Sequence, residues 1–256
     1  MSRPRLGDYD LLLIDLDGVV WLDGKPIPGA VEALNDLFGI VEIRFVTNNS
    51  TRHRSEVACM LRRIGVSWAS EEHVVTSAST LADLVSSMEI RKCFVVGENG
   101  LIAELEEKDV EVCEEGDVCV GMDREFNYRK LTTAMRNILA GGLFLATNED
   151  RTLPTPEGPI PGAGSMVAAI AGACGRGPDI VVGKPNPLMF LMASSRVGAR
   201  KPLVIGDRVE TDILGALRAG MDSALVLTGV VKDVGGVSPR PKYVLKSLRG
   251  LVNSGE

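Results

Sequence analysis

The stretch DLLLIDLDGVV at residues 10–20 decides how this chain folds. Its apolar residues 11–14 predict a buried β-strand that ends directly in Asp15 and Asp17. Ligands of open α/β sheets bind at the carboxyl ends of strands, and alternation along an extended chain sends these two carboxylates to the same side. Gly18 then permits a sharp turn of the backbone. In such a pair, one carboxylate can attack a substrate while its neighbour transfers protons.

Further short apolar runs follow along the chain and alternate with amphipathic stretches of helical spacing. This alternation predicts an α/β fold with a mainly parallel sheet. The runs lie at residues 43–46, 94–96, 143–146, 180–182, 203–205 and 224–227.

Residues 81–178 differ from the rest, because acidic runs and a loop rich in proline and glycine fall there. We predict that they form an inserted domain. Residues 1–80 and 179–256 would then make one discontinuous domain of ordinary size.

Composition excludes several classes of function. The chain has 256 residues, of which 45% are hydrophobic and 24% charged, and this composition is typical of a globular protein. A net charge of -6 without a lysine- or arginine-rich run argues against nucleic acid as a partner. No stretch is apolar enough for a membrane span or a signal-peptide core, so we expect a cytoplasmic protein. With only 2 histidines, the chemistry must depend on carboxylates, hydroxyls, amides and lysine.

Three more predicted strands also end in polar residues. The second strand is followed by TNNS at residues 47–50, a later strand by Lys184, and another by Asp207, with Asp212 five residues further on. Each feature alone has a simpler interpretation, such as a helix cap, an exposed lysine or a helix N-terminal charge. A calcium loop at the first strand is disfavoured, because its twelfth position is Pro26 instead of glutamate. Four such strand ends together indicate a ligand site whose oxygen ligands suit Mg²⁺.

The motifs DxDG at 15–18, TNNS at 47–50, GKP at 183–185 and GDxxxTD at 206–212 resemble those of the haloacid dehalogenase superfamily. Within it, TNNS, the stretch ATNED at 146–150 and the GKPNP segment are similar to the NagD-like, 4-nitrophenylphosphatase branch. The resemblance implies a Rossmann-like core with a parallel sheet and an inserted α/β cap domain of the C2 type.

The resemblance also implies a Mg²⁺-dependent phosphatase that hydrolyses small phosphate monoesters through an aspartyl-phosphate. Asp15 would be the nucleophile, and Asp17 would act first as an acid and then as a base. The implied metal ligands are the carboxylates of Asp15 and Asp207, the backbone carbonyl of Asp17, and Asp212 directly or through water. The implied substrate-binding residues are Thr47, Asn48, Asn49 and Lys184.

The inserted domain would close over the phosphate and distinguish leaving groups, with Asn148 and Asp150 as candidate substrate contacts. The expected partner is a small phosphorylated metabolite, and the cap allows a homodimer. Three alternatives stay open: a phosphotransferase or mutase with the same intermediate, a dehalogenase, and a non-catalytic module that binds a phosphometabolite. Asp17 disfavours the dehalogenase, because a halide leaving group needs no proton.

Overall fold

The computed structural model describes residues 3–252 except positions 23, 154, 156, 232, 234 and 237. The chain forms two compact units. Unit 1 comprises Met1–Thr47, Val57–Val75 and Lys184–Glu256, and unit 2 comprises Asn48–Glu56 and Thr76–Gly183. Units defined by compactness are not the same as functional domains, so the division into a catalytic core and a cap stays a prediction.

The strands follow in chain order. They are β1 (Leu11–Ile14), β2 (Trp21–Leu22), β3 (Lys25–Pro26), β4 (Glu42–Thr47), β5 (Val74–Thr76), β6 (Lys92–Val96), β7 (Glu111–Val112), β8 (Asp117–Val120), β9 (Phe144–Ala146), β10 (Thr152–Leu153), β11 (Ile160–Pro161), β12 (Ile180–Val181), β13 (Pro202–Gly206), β14 (Asp222–Val226) and β15 (Tyr243–Leu245).

The α-helices are α1 (Ala30–Leu37), α2 (Arg54–Arg63), α3 (Ser77–Ser87), α4 (Asn99–Glu106), α5 (Tyr128–Leu139), α6 (Ala163–Cys174), α7 (Leu188–Val197) and α8 (Leu214–Arg218). A π-helical turn at Val209–Ile213 leads into α8. In the described part of the chain, no helix is both long and apolar enough to cross a bilayer.

Unit 1 contains a sheet in the strand order β15-β14-β13-β1-β4-β5. The central strand β1 pairs in parallel with β13 and with β4, and Ile14 lies opposite Ile205 and Phe45. Residues 11–14 of β1 are fully buried and contribute alternately to two apolar clusters, one on each face of the sheet. This register brings the carboxyl ends of β1, β4 and β13 to one edge.

Unit 2 contains a parallel sheet in the order β12-β9-β8-β6-β7. Its core packs Val96, Val120 and Phe144 of the sheet against Ile138 of α5 and Ile170 of α6. Each apolar run that predicts a strand in the sequence overlaps a strand of the structure. The prediction of an α/β fold with a parallel sheet is therefore confirmed.

Candidate active site

Asp15 and Lys184 form a buried ion pair at the edge of the unit 1 sheet. Asp15 follows β1 directly, and its backbone N–H continues the ladder by donating to the carbonyl oxygen of Ile205 at 2.9 Å. The Lys184 ammonium lies 2.6 Å from Asp15 Oδ1 and 2.7 Å from Asp212 Oδ1, and it donates to the Val46 carbonyl at 3.2 Å. The lysine is only 4% exposed, so its positive charge is compensated by these two carboxylates and not by solvent.

Asp207 directly follows Gly206, the last residue of β13, and is 2% exposed. Its Oδ2 accepts a hydrogen bond from the Val230 N–H at 2.6 Å. A Cβ added at Gly18, where φ is +85°, would lie 2.4 Å from this oxygen, and one at Gly229 would lie 1.8 Å away. The side chain fits only because both neighbours are glycines, so the DxDG glycine leaves room for the acid as well as turning the chain.

Asp212 lies in the π-helical turn and is 1% exposed. Its Oδ2 accepts from the Arg208 N–H at 3.1 Å, while its Oδ1 faces Lys184. Ligand oxygens of Asp15, Asp207 and Asp212 all lie within 4.8 Å of one another. We call these three acids together with Lys184 the Asp cluster.

The Asp cluster fits a divalent cation. Asp207 Oδ1 is buried and has no hydrogen-bond partner among the described residues. A buried carboxylate oxygen without a partner is costly, and three carboxylates around one ammonium leave uncompensated negative charge. Hard oxygen ligands of this kind suit Mg²⁺. The residues that would hold the ion are Asp15, Asp207 and Asp212.

Two acids of the cluster, Asp15 and Asp207, have pKa values above those of ordinary aspartates. Burial raises the pKa of Asp15 well above its usual value; Lys184 opposes this shift, and the charges of Asp212 and Asp207 add to it. Burial and the charge of Asp212 also raise the pKa of Asp207 to about 6. For Lys184, burial opposes the charged ammonium, but Asp15 and Asp212 outweigh it and raise the pKa. A bound cation would favour the ionised carboxylates.

Asp17 has a different environment from the other acids. It is exposed, and its Oδ1 accepts a hydrogen bond from the Trp21 indole Nε1–H at 3.0 Å. The two residues also form an isolated β-bridge after the turn at Gly18. The structure thus places Asp17 where its carboxyl group can exchange protons with solvent.

The predicted phosphate-binding segment spans the boundary between the units. Thr47 ends β4 in unit 1 and is 3% exposed, whereas Asn48 and Asn49 belong to unit 2. The Asn49 side-chain oxygen accepts from the N–H and hydroxyl of Thr51 at 2.9 and 2.8 Å.

The predicted cap residues Asn148 and Asp150 also contact this segment within unit 2. Asn48 Nδ2 donates to Asp150 Oδ2 at 3.1 Å. Asn148 is 3% exposed, and its Nδ2 donates to the backbone oxygen of Asn48 at 2.8 Å. Its own side-chain oxygen accepts from the Asp150 N–H at 3.1 Å. The Asn148 amide therefore binds other protein groups, and a role as a direct substrate contact stays a prediction.

Sequence analysis did not find a second buried acidic group, which lies in unit 2. Glu104 is fully buried, and its Oε2 lies 2.8 Å from Arg54 Nη1, while Arg54 Nη2 pairs with Glu107. The His53 ring nitrogen Nε2 lies 3.0 Å from Glu107 Oε1. We call these four residues the Glu cluster. About fifty positions separate Arg54 from its partners, so no local pattern in the sequence reveals the group.

Comparison with known proteins agrees with the fold. A family described as "Haloacid dehalogenase-like hydrolase" matches residues 12–111, and a second, HAD-hydrolase-like family matches residues 181–251. The D-glycerol 3-phosphate phosphatase of Mycobacterium tuberculosis is 40% identical over 255 residues, covering 95% of this chain and 71% of the relative.

Solved structures of phosphatases are similar to this chain in fold and in sequence. A crystal structure of glycerol phosphate phosphatase from M. tuberculosis in complex with magnesium has a TM-score of 0.89 and 38% identity, covering 96% of this chain and 77% of the other. The 4-nitrophenylphosphatase of Thermotoga maritima has a TM-score of 0.91 and 33% identity, covering 96% and 97% of the two chains.

Together, the parallel sheet and the acids at its carboxyl edge define an α/β hydrolytic enzyme that works with a metal ion. The chain belongs to the haloacid dehalogenase-like hydrolases. The relatives are phosphatases, which confirms the predicted family and the prediction of a metal-dependent phosphatase.

Proposed function

We propose that this chain hydrolyses small phosphate monoesters, with Asp15 as the nucleophile and Asp17 as the acid and base. The observation that carries the proposal is the Asp cluster, in which a strand-end carboxylate is held by a buried lysine beside two further acids. The relatives whose names specify glycerol 3-phosphate and dihydroxyacetone point to short phosphorylated polyols and sugars as the substrate class.

The first half-reaction forms a bond between a carboxylate oxygen of Asp15 and phosphorus. The bond between phosphorus and the ester oxygen breaks, and the leaving oxygen takes a proton from Asp17. In the second half-reaction, Asp17 accepts a proton from water as the water oxygen attacks phosphorus. The bond to Asp15 breaks, and inorganic phosphate leaves. Each step conserves the atoms, and Asp17 regains its proton by the end of the cycle.

The other residues position the substrate and balance charge. Lys184 holds one oxygen each of Asp15 and Asp212, so it keeps the nucleophile in one orientation between turnovers. Thr47, Asn48 and Asn49 would donate hydrogen bonds to the phosphoryl oxygens as negative charge develops on them. When bound, Mg²⁺ supplies the positive charge that lets an anionic ester approach three carboxylates.

Residues 81–178, which lie within unit 2, are the candidate cap over the substrate, with Asn148 and Asp150 as candidate contacts. Formation of a homodimer through this cap and a location in the cytoplasm remain predictions from the sequence. Neither affects the chemistry proposed for the Asp cluster.

A panel of esters whose leaving groups differ in basicity tests the proposal. With Mg²⁺, we expect the purified protein to release free phosphate from glycerol 3-phosphate, sugar phosphates and 4-nitrophenyl phosphate. Asp17→Asn should lower kcat/KM by about 10²-fold or more for alkyl esters, and less for the nitrophenyl ester, whose leaving group needs little protonation. Phosphate release is measured colorimetrically.

Three results would contradict the proposal. Transfer of the phosphoryl group without free phosphate would indicate a mutase, and ligand retention without turnover would indicate a binding module. Equal losses for alkyl and nitrophenyl esters in Asp17→Asn would exclude the acid role.

A further inference from the structure

The Trp21 indole holds the side chain of Asp17 by a hydrogen bond within unit 1. Its Nε1–H donates to Asp17 Oδ1 at 3.0 Å, and the same two residues form the isolated β-bridge. Trp21 is only 5% exposed, whereas Asp17 is exposed. An exposed acidic side chain usually samples several rotamers, and a hydrogen bond to a buried donor reduces this sampling.

The backbone between β1 and β2 fixes the place of the indole. The Leu16 carbonyl accepts from the N–H groups of Val20 and Trp21 at 2.8 and 3.2 Å. The Gly18 N–H donates to the Trp21 carbonyl at 2.7 Å, and Trp21 then pairs with Pro26 of β3. Trp21 also belongs to the apolar core on one face of the unit 1 sheet. The turn, the strand pairing and the core therefore hold the donor in place before a substrate binds.

An indole suits this contact because it can donate a hydrogen bond but cannot accept one. Asp17 Oδ1, which binds the indole, is therefore an acceptor whether the carboxyl group is protonated or ionised. In the protonated group the hydrogen lies on Oδ2, and that oxygen gives the proton to the leaving group. In the ionised group the same oxygen accepts the proton from water. The hydrogen bond to Trp21 thus assigns different tasks to the two oxygens.

We infer that Trp21 is a positioning residue that orients Asp17 so that Oδ2 transfers the proton in both half-reactions. The inference rests on the proposed function and deepens it, because it names the residue that orients the acid. A general acid must lie within hydrogen-bond distance of the leaving oxygen, so a carboxyl group held in one orientation transfers its proton more effectively. The effect should be largest for esters whose leaving oxygen is basic.

Trp21→Phe tests the inference, because it removes the indole N–H and keeps an aromatic ring in the core. We expect kcat/KM for glycerol 3-phosphate to fall by about 10-fold, and that for 4-nitrophenyl phosphate by less than about 3-fold. Both esters share the nucleophile, but only the alkyl leaving group depends strongly on the proton. A hydrogen bond that is merely structural would instead lower both values by the same factor.

A double-mutant cycle shows whether Trp21 acts through Asp17. In Asp17→Asn the side chain cannot transfer a proton, so the orientation of its oxygens no longer matters. Adding Trp21→Phe to this variant should lower kcat/KM for glycerol 3-phosphate by less than about a further 2-fold. A further loss of about 10-fold would mean that Trp21 acts by another route, and the inference would be wrong.

Trp68→Phe is the matched control in the same unit. Its Nε1–H also donates to a side-chain oxygen, Asn35 Oδ1 at 3.0 Å, and its ring stacks on Phe38 and Phe45. The variant should keep kcat/KM for both esters within about 2-fold of the wild type. A selective loss for glycerol 3-phosphate in this control would show that removing any indole N–H has the effect, which contradicts the inference.

Nuclear magnetic resonance tests the hydrogen bond itself in the folded protein. The chain has 2 tryptophans, and the indole N–H signal that remains in Trp68→Phe belongs to Trp21. Asp17→Ala should move this signal upfield, because a hydrogen-bonded proton resonates downfield. An unchanged signal, or an equal effect of Trp21→Phe on the two esters, would overturn the inference. Failure of the proposed function would instead appear as a wild-type protein that releases no phosphate from either ester.

Discussion

The Asp cluster of unit 1 and the Glu cluster of unit 2 each bring possible metal-ligand atoms of their side chains within 4.8 Å of one another. They differ in how their charge is balanced. In the Asp cluster the Lys184 ammonium pairs with Asp15 and Asp212, and Asp207 is a third buried carboxylate beside them. In the Glu cluster one guanidinium pairs with both carboxylates, and His53 lies beside them.

We infer from this difference that charge balance, and not the number of acids, distinguishes a cation site from a structural ion-pair group. Burial raises the pKa of Glu104, but Arg54 opposes this shift through a backbone hydrogen bond and its charge. At Asp207, burial and the charge of Asp212 outweigh the Val230 hydrogen bond and the charges of Arg208 and Lys184, and the pKa reaches about 6. A divalent ion would supply the missing charge in the first cluster and would compete with Arg54 in the second.

The largest expected effect is the loss of activity when an acid of the Asp cluster, but not of the Glu cluster, is replaced. Asp15→Asn should abolish turnover, with a loss of at least about 10⁴-fold in kcat, because an amide cannot form the aspartyl-phosphate. Glu104→Gln, a change of the same kind in the Glu cluster, should keep kcat within about 3-fold of the wild type. Steady-state assays with 4-nitrophenyl phosphate measure both. Wild-type activity in Asp15→Asn would refute the assignment of the nucleophile.

The next effect concerns stability and belongs to the Glu cluster. Arg54→Met leaves Glu104 buried without its cation and should lower the free energy of unfolding by about 3–5 kcal/mol. Adding Glu104→Leu to this variant should recover most of the loss, because a buried ion pair is replaced by apolar packing. Urea denaturation of both variants gives the values.

Arg63→Met is the control for this prediction, because Arg63 is an exposed arginine in the same helix, and its loss should cost no more than about 0.5 kcal/mol. A loss in Arg54→Met as small as in this control would mean that the Glu cluster contributes little to folding.

Sequence reasoning brought Asp15 and Asp207 together because each directly follows an apolar strand, and the parallel neighbours β1 and β13 end at one edge of the same sheet. Lys184 follows β12, a strand of the other sheet, and Asp212 lies in the π-helical turn, so only the structure shows the contacts of Lys184 with Asp15 and Asp212. The strand β8 went unrecognised, because its apolar residues 118–120 directly follow an acidic run. The strands of the pairs β2–β3 and β10–β11 are too short for an alternation of apolar and polar residues to be recognised.

Contacts between segments far apart in the chain could not be predicted. The partners of Arg54 lie on α4, and the donors to the Asn48 carbonyl come from α3 and from the residues after β9. Asn148 illustrates the limit: its type and position suggested a ligand contact, whereas only the structure shows that its amide binds a backbone oxygen. A side chain's partners depend on the packing around it, which local sequence does not encode.

The response to magnesium distinguishes the clusters by a smaller effect. At a Mg²⁺ concentration about 100 times the dissociation constant, the ion should stabilise the wild-type protein by about 2.7 kcal/mol, because it binds only the folded state. Asp207→Asn should lose most of this increment and its activity, whereas Glu107→Gln should keep both. Thermal melts with Mg²⁺ and with EDTA test the prediction. An equal increment in the two variants would remove Asp207 from the metal site.

The smallest expected effect is the pH dependence of the stabilisation by Mg²⁺. Without the ion, the folded-state pKa of Asp207 is about 6, against 3.8 for an ordinary aspartate, so the folded chain binds the proton more tightly than the unfolded chain does. The stability that this group contributes is fully present below about pH 4 and is lost as the pH rises through about 6, with a loss of about 1.3 kcal/mol between pH 5 and pH 7. Mg²⁺ must displace the same proton, so its stabilising increment should be largest above pH 6 and should shrink towards pH 4.

Urea denaturation at pH 5 and pH 7, each with Mg²⁺ and with EDTA, measures the change. In EDTA, Asp207→Asn should lose less stability between these pH values than the wild type, while Glu107→Gln should behave like the wild type. An increment from Mg²⁺ that is equal at both pH values would show that proton and ion do not compete at Asp207, and the distinction between the two clusters would then fail.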